Sequence, residues 1–228
     1  MTMNDKQSQL VRTARVTGIW YLLLAVTGLL GFLIYHTQIF DPESSEKTLA
    51  NLTDKESLAR VRLLFEFGIV VSQALAAVWF YRLFKSINDW AAWALGIWGM
   101  VNAVVIMISA ISMASAIEIA AHSTQSMESK LIIIELLRGL IKDAWGVGSL
   151  FFGLWLIPMG YIVTSSRRMP VWLGRVLILG GAGYLLNVVL NYSGVGSSWR
   201  EFLVIPATIG EFWMIGYLLI FGIRPETE

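Results

Sequence analysis

The sequence contains no cysteine and only two histidines among its 228 residues. The absence of cysteine excludes disulfides, thiolate metal sites, iron–sulfur clusters and a cysteine nucleophile. His36 and His122 are too few to indicate a haem held by two histidines inside a helical bundle. We therefore expect no cofactor and no bound metal.

Charged residues are also scarce. They make up 14% of the chain, whereas about 25% is usual for soluble domains, and 56% of the residues are hydrophobic. A soluble domain of this length cannot bury so much apolar surface, which argues strongly against an ordinary cytosolic enzyme. The formal net charge of +1 gives no basic footprint for nucleic acid. The composition predicts a protein whose main partner is the lipid bilayer.

Six apolar runs are long enough for transmembrane helices, which need about 20 residues each. The runs lack the alternation that is typical of barrel strands. We predict an all-α fold, a bundle of six transmembrane helices, in which prolines kink helices four and six. The outer loop between helices one and two is predicted to be partly helical. The runs are Val16–Ile34, Val61–Phe84, Trp90–Ile117, Ala144–Val163, Val171–Tyr192 and Phe202–Ile223.

The predicted organisation is a single six-span domain over residues 16–223. A cytoplasmic N-terminal segment, 1–15, precedes it and a cytoplasmic tail, 224–228, follows it. With both termini inside, nine of the 17 Lys and Arg residues flank the inner side and eight the outer side. The inner cations lie in tight loops, where the positive-inside rule applies best. They are Lys6, Arg12, Arg15, Arg82, Lys85, Arg167, Arg168, Arg175 and Arg224.

Three stretches rich in glycine, tryptophan and proline follow one another with an unusual spacing. They are GLWLIPMGY at 153–161, MPVWLG at 169–174 and GGAGYL at 180–185. With GIWYL at 18–22 and Gly210-Glu211, this order resembles the bacterial family called domain of unknown function 4386, over roughly Leu10 to Ile223. The resemblance implies a polytopic protein of the bacterial cytoplasmic (inner) membrane. It implies no particular reaction, because the family is named for lacking one.

The resemblance also implies a histidine about one turn ahead of the glycine in segment four. In this chain Asp143 lies near that place, before Gly146. Histidine-based chemistry is therefore not expected here.

Ionisable side chains inside apolar runs are costly and mark candidate sites. Glu211 lies roughly 13 Å below the predicted outer surface, between apolar neighbours. We interpret it either as a proton, cation or polar-ligand site or as a hydrogen-bonded group that fixes helix packing. Arg62 and Glu66 are four residues apart on segment two, within pairing distance on one helix face.

A charged stripe precedes segment four. Glu135, Arg138 and Lys142 share a helical face, and Asp143 lies beside it. The stretch is either an interfacial helix or an extension of helix four. The stripe either faces solvent and lipid headgroups, or its cations reach the buried carboxylates of the other segments.

The polar candidates, including two asparagines on one face of segment five, converge in the outer half of the predicted bundle. This convergence predicts a polar pocket that binds or carries a small molecule or ion. Two alternatives stay open: an accessory subunit that binds a partner membrane protein or a second copy, and an intramembrane enzyme acting on a lipid-like substrate. No catalytic residue is assigned. The candidate ligand-binding residues are Glu211, Glu66, Arg62, Asp143, Lys142, Arg138, Asn187 and Asn191.

Overall fold

The computed structural model describes residues 3–196 and 198–225, and these form helices with short connections and no strand. The first helix, α1, passes directly into a π-helix and then into the short helix α2, and a 3₁₀-helix leads into α8. The elements are α1 Met3–Leu29, the π-helix Leu30–His36, α2 Thr37–Ile39, α3 Ser45–Asp54, α4 Glu56–Phe84, α5 Asp89–His122, α6 Met127–Ser166, α7 Val171–Tyr192, the 3₁₀-helix Ser198–Val204 and α8 Ile205–Ile220.

Six helical stretches are long and apolar enough to cross a membrane, which confirms the predicted all-α fold with six spans. The first is Asp5–Ile39, in which the π-helix and α2 extend α1. The last is Trp199–Ile220, which includes most of the 3₁₀-helix. On the length and composition of these helices, the chain is an integral membrane protein.

Side-chain caps mark two helix starts. At α3, Ser44 Oγ accepts a hydrogen bond from the Lys47 amide at 3.2 Å. At α5, Asn88 Oδ1 accepts one from the Ala91 amide at 3.0 Å. Such caps satisfy amides that have no partner within the helix. The short helix α3 is the helical part that the sequence predicts for the loop between the first two spans.

The helix α6 has 40 residues, which at 1.5 Å per residue gives about 60 Å, twice the hydrocarbon thickness of a bilayer. The charged stripe therefore lies on an extension of the fourth span, and a separate interfacial helix is not formed. Pro158 lies inside α6, whereas Pro206 lies in the first turn of α8. At that position the missing N–H removes no intrahelical hydrogen bond. The sixth span is thus irregular at the point where the 3₁₀-helix changes to the α-helix α8.

The chain divides into two compact units. The terminal unit comprises Met1–Leu22, Ser72–Asn102 and Val147–Glu228. The central unit comprises Leu23–Val71 and Ala103–Gly146. The single domain over 16–223 stays a prediction, and each unit is described by itself below.

Each unit has its own buried core. In the terminal unit the largest fully buried side chain is Trp155, and the rings of Tyr21 and Phe80 pack edge-on against it at centroid distances of 5.5 and 5.3 Å. In the central unit, Ile39 and Leu52 from the first loop are fully buried in an aliphatic cluster with residues of α4, α5 and α6. Apolar burial therefore holds α2 and α3 in place.

Glycines bring α6, α7 and α8 of the terminal unit into backbone contact. A Cβ atom at Gly153 would lie 2.8 Å from the carbonyl oxygen of Gly181. A Cβ atom at Gly180 would collide with the backbone of Ala207 at the start of α8. Small residues of this kind allow helices to approach closely within a membrane. We call this contact the glycine seam.

Candidate functional site

A buried ion pair lies on α4 in the central unit. Arg62 Nη1 donates to Glu66 Oε2 at 2.6 Å, and neither side chain has any exposed surface. The spacing of four residues predicts this pair, and the structure confirms it. Among the described residues, Arg62 Nε and Nη2 have no hydrogen-bond partner, so Glu66 is the group that balances the guanidinium charge.

Trp145 covers this pair and joins three helices. Its indole Nε1 lies 3.1 Å from Glu66 Oε1 on α4 and 3.2 Å from Ser109 Oγ on α5, within hydrogen-bond distance of both. The ring of Phe32 packs edge-on against Trp145 at 4.3 Å between centroids. The Arg62 guanidinium lies over the Phe32 ring, 5.0 Å from its centroid. Both aromatic rings therefore shield the ion pair.

The π-helix positions the aromatic side chains of this region. Phe32 and His36 lie four residues apart on it, and their rings stack at 5.1 Å. The His36 ring also stacks on Phe40 at 4.9 Å. Gly31 gives Arg62 room, because a Cβ atom there would lie 3.3 Å from Arg62 Nη1. π-Helical turns are frequent at functional sites, where they change the direction in which side chains point.

A cavity of about 600 Å³ opens beside these rings, and residues of the central unit line it. Phe32, Phe40 and Trp145 supply an aromatic wall, and Ile141 adds an aliphatic one. We call this space the central-unit cavity. Its charged lining residues are Asp41, Glu135, Arg138 and Lys142.

Three of these charged groups have partners. Arg138 Nη2 donates to both carboxylate oxygens of Glu135 at 2.8 Å, and its Nη1 donates to the Asp41 carbonyl oxygen at 2.9 Å. Ser45 Oγ also donates to Glu135. The alternative in which Arg138 reaches a buried carboxylate is therefore wrong, because Glu135 lies one turn away on the same helix and pairs with it. Lys142 is exposed and, among the described residues, has no hydrogen-bond or ion-pair partner.

Asp41 organises the turn before α3. Its Oδ1 accepts hydrogen bonds from the Glu43 and Ser44 amides, both at 2.9 Å, and its Oδ2 lies 3.6 Å from Lys47 Nζ. The Glu43 amide above all, then the Ser44 amide and Lys47, hold the pKa of Asp41 below its ordinary value. Hydrogen bonds to the ionised form favour it over the protonated form.

Glu211 lies in the terminal unit. Its Oε1 accepts a hydrogen bond from the Tyr21 hydroxyl at 2.7 Å, and the side chain is half-buried. The Tyr21 ring is fixed in turn by edge-on contacts with Phe80 and Trp155. The predicted packing contact is therefore present at Glu211, whereas its predicted role as a ligand or ion site stays a prediction.

The eight predicted site residues fall into both units. Glu211, Asn187 and Asn191 belong to the terminal unit, where Asn191 Oδ1 accepts from Arg200 at 2.9 Å and Asn187 is half-buried. Asp143 belongs to the central unit but is exposed and does not line the central-unit cavity. In that unit the structure places Arg62 and Glu66 behind the aromatic wall, with Arg138 and Lys142 at the cavity.

The three aromatic residues of the wall are not among the site residues predicted from the sequence. Trp145 follows Arg138 and Lys142 at helical spacing, so it shares their face of α6. The sequence therefore contains a signal that places Trp145 at the site. Phe32 and Phe40 carry no such signal, because Phe32 lies on the π-helix and Phe40 directly follows α2, and neither element has a simple sequence pattern. Among the described residues, no group of three or more His, Asp or Glu side chains is placed to hold a metal ion.

The model of one protein family matches most of the chain. This family is described as Domain of unknown function (DUF4386), and the match covers residues 16–222. The chain belongs to this family. A protein of Archaeoglobus fulgidus described as uncharacterized is 29% identical over 69 residues, 30% of this chain and 43% of that protein. The chain thus spans less than half the length of this curated relative, and no solved structure matches the chain.

Proposed function

We propose that this membrane protein binds a small amphipathic anion in the central-unit cavity. The observation that carries the proposal is the position of Lys142, an exposed cation with no described partner, beside an aromatic wall. An apolar wall with a few well-placed polar groups is the usual composition of a small-molecule site.

The size of the cavity suits an organic ligand. Its volume of about 600 Å³ lies within the range of roughly 300–1,000 Å³ that is usual for ligand pockets. Phe32, Phe40 and Trp145 present ring surface on which an aromatic or alkyl group can pack. This wall favours a ligand with an apolar part over a simple inorganic ion.

The charges of the lining favour an anionic group on the ligand. Glu135 neutralises Arg138, and Lys47 lies beside Asp41. Lys142 is left as the cation that a bound carboxylate, sulfonate or phosphate would complement. A charge-assisted hydrogen bond to such a group is stronger than a neutral one.

Binding is better supported than carriage across the membrane. The Arg62–Glu66 pair has no exposed surface, contacts Trp145 and Phe32, and is not among the residues that line the cavity. A carrier needs a cavity that opens in turn to both sides. The described contacts support a binding site and do not supply the second opening that carriage needs.

We also propose that the protein resides in the bacterial cytoplasmic membrane with both termini in the cytoplasm. The nine cations on the inner flanks support this orientation through the positive-inside rule. The segment after the first span, which contributes Phe40 and Asp41 to the lining, is then on the outer side. The central-unit cavity accordingly receives its ligand from the outer side of the cytoplasmic membrane.

Thermal unfolding of the purified full chain in detergent tests the proposal, with indole-3-acetate as the anionic probe. Uncharged indole-3-ethanol and cationic tryptamine carry the same ring and serve as comparison ligands. We expect indole-3-acetate to raise the melting temperature most. At a hundredfold excess over its Kd, a ligand that binds only the folded state stabilises it by about 2.7 kcal/mol.

Two lysine variants on α6 decide whether the effect comes from this cavity. Lys142→Gln removes the unpaired cation. It should abolish the larger rise in melting temperature that indole-3-acetate gives over the other two ligands. Lys130→Gln removes a lysine of the same helix that lies outside the cavity, and this variant should keep the larger rise with indole-3-acetate. Equal responses to the three ligands, or an unchanged anion response in Lys142→Gln, would refute the proposal.

A further inference from the structure

A second cavity, of about 900 Å³, lies in the terminal unit between the N-terminal part of α1 and the C-terminal end of α4. Four cations line it: Lys6 and Arg12 on α1, Arg82 on α4, and Lys85 just after α4. All four side chains are exposed. We call this space the basic cavity.

The lining of the basic cavity has one sign of charge. Among its described lining residues there is no carboxylate. The acids nearest to these cations in the sequence are Asp5 and Asp89, and neither lines the cavity. Like charges that share a cavity repel one another unless a counter-charge lies between them. The arrangement is therefore suited to an anion with several acceptor oxygens.

The same cavity also has an apolar side. Leu10, Val16 and Trp79 line it together with the cations. The Arg82 guanidinium lies over the Trp79 ring, 4.8 Å from its centroid, which fixes the arginine at the edge of the apolar surface. Arginine and tryptophan side chains commonly occupy the boundary between lipid headgroups and acyl chains.

We propose that the basic cavity binds the headgroup of an acidic phospholipid. The four cations hold the phosphodiester, and Leu10, Val16 and Trp79 contact the first part of the acyl chains. Basic pockets between transmembrane helices are known to hold acidic lipid headgroups, and each Lys or Arg near the surface contributes to this attraction. The inference concerns a different unit from the central-unit cavity and does not depend on the function proposed above.

Lipid retention by the full-length protein tests the inference. The protein is exchanged into nanodiscs of phosphatidylcholine that contain phosphatidylglycerol, and it is extracted in mild detergent. Bound lipid is then counted by native mass spectrometry. We expect wild type to retain phosphatidylglycerol in preference to phosphatidylcholine. The variant Arg12→Gln/Arg82→Gln should bind phosphatidylglycerol about 30-fold more weakly, because it lacks two of the four cations.

A matched control is available in the same unit. Arg175 lies over the Trp172 ring at 4.7 Å, much as Arg82 lies over Trp79, but it does not line the basic cavity. The variant Arg167→Gln/Arg175→Gln therefore removes two exposed cations and should retain phosphatidylglycerol as wild type does. The variant Arg12→Lys/Arg82→Lys keeps the charges and should also retain it, which separates loss of charge from loss of folding.

Three results would overturn the inference. The first is equal retention of the two lipids by wild type. The second is equal loss of phosphatidylglycerol from the control variant and from Arg12→Gln/Arg82→Gln. The third is displacement of the lipid by glycerol 3-phosphate at comparable concentration, since this would assign the cavity to a soluble phosphate compound.

Discussion

Arg62 and Glu66 show how a full charge is accommodated where solvent does not reach. The removal of one partner of a buried pair leaves the other charge without compensation and destabilises a protein by about 3–5 kcal/mol. Replacement of both partners by apolar groups of similar size is often neutral. The pair thus fixes the structure around it without adding greatly to the net stability.

We expect Glu66→Ala to destabilise the protein by about 3–5 kcal/mol, because Arg62 is then buried without a counter-charge. Arg62→Met/Glu66→Leu should recover most of this loss. Unfolding curves in detergent with increasing denaturant give both values. The control is Glu56→Ala on the same helix, where the pair of half-buried Glu56 with exposed Arg60 has the same spacing of four residues and contributes at most about 1 kcal/mol. A loss at Glu66 no larger than the loss at Glu56 would contradict the expectation.

A second residue-scale prediction concerns Glu211. Glu211→Gln keeps an oxygen that can accept the hydrogen bond from Tyr21, so this variant should melt close to wild type. Glu211→Leu leaves the Tyr21 hydroxyl unpaired and should destabilise the protein by about 1–3 kcal/mol. Thermal unfolding of both variants measures the difference, and addition of Tyr21→Phe should reduce the cost of Glu211→Leu. If Glu211→Gln unfolds as readily as Glu211→Leu, the charge itself is needed for packing.

At the scale of elements, the turn before α3 should respond to acid through Asp41. Its pKa is lower in the folded protein than in the unfolded chain, because the Glu43 and Ser44 amides and Lys47 favour the carboxylate. The stabilisation is therefore complete above the unfolded pKa and is lost as the pH falls through the folded one. We expect the difference in melting temperature between wild type and Asp41→Asn to be largest near neutral pH and to vanish in strong acid. Glu43→Gln, a change at the neighbouring exposed carboxylate, serves as the control.

The glycine seam gives the second prediction at this scale. A Cβ atom at Gly180 would collide with the backbone of Ala207, so Gly180→Ala should cost about 1–3 kcal/mol through overpacking of α7 against α8. Gly216→Ala on α8 is the matched control, because a Cβ atom there meets no neighbour within 4 Å. The control should be neutral or slightly stabilising, since alanine has the higher helix propensity. Equal melting temperatures for the two variants would show that α7 and α8 can move apart without cost.

At the scale of the whole molecule, the distribution of cations predicts the orientation. Arg62 is buried and paired, so it no longer counts toward the outer flank, and the comparison becomes nine inner cations against seven. We expect green fluorescent protein fused after Arg224 to fluoresce and alkaline phosphatase fused there to be inactive. Alkaline phosphatase inserted between α5 and α6, at residues 123–126, should be active. The opposite pattern at both positions would invert the proposed orientation.

The sequence predicted those features of the molecule that depend on neighbours along the chain. The six spans follow from apolar runs, and the Arg62–Glu66 pair follows from a spacing of four residues. The contacts that complete the site are distant in sequence: 79 residues separate Glu66 from Trp145, and 190 separate Tyr21 from Glu211. The π-helix could not be predicted either, because its register depends on packing and not on a residue pattern.

The glycine seam has a consequence for what family membership can teach. Its glycines at 153, 160, 174, 180, 181 and 183 lie within the three stretches that indicate the family resemblance in the sequence. Those stretches belong to the terminal unit, whereas the residues that line the central-unit cavity come from other parts of the chain. These stretches therefore determine how closely the helices of the terminal unit approach, and they contain none of the residues proposed to bind a ligand. The function proposed above therefore predicts that relatives which share the three stretches but differ at the positions aligned with Phe32, Lys142 and Trp145 bind different ligands.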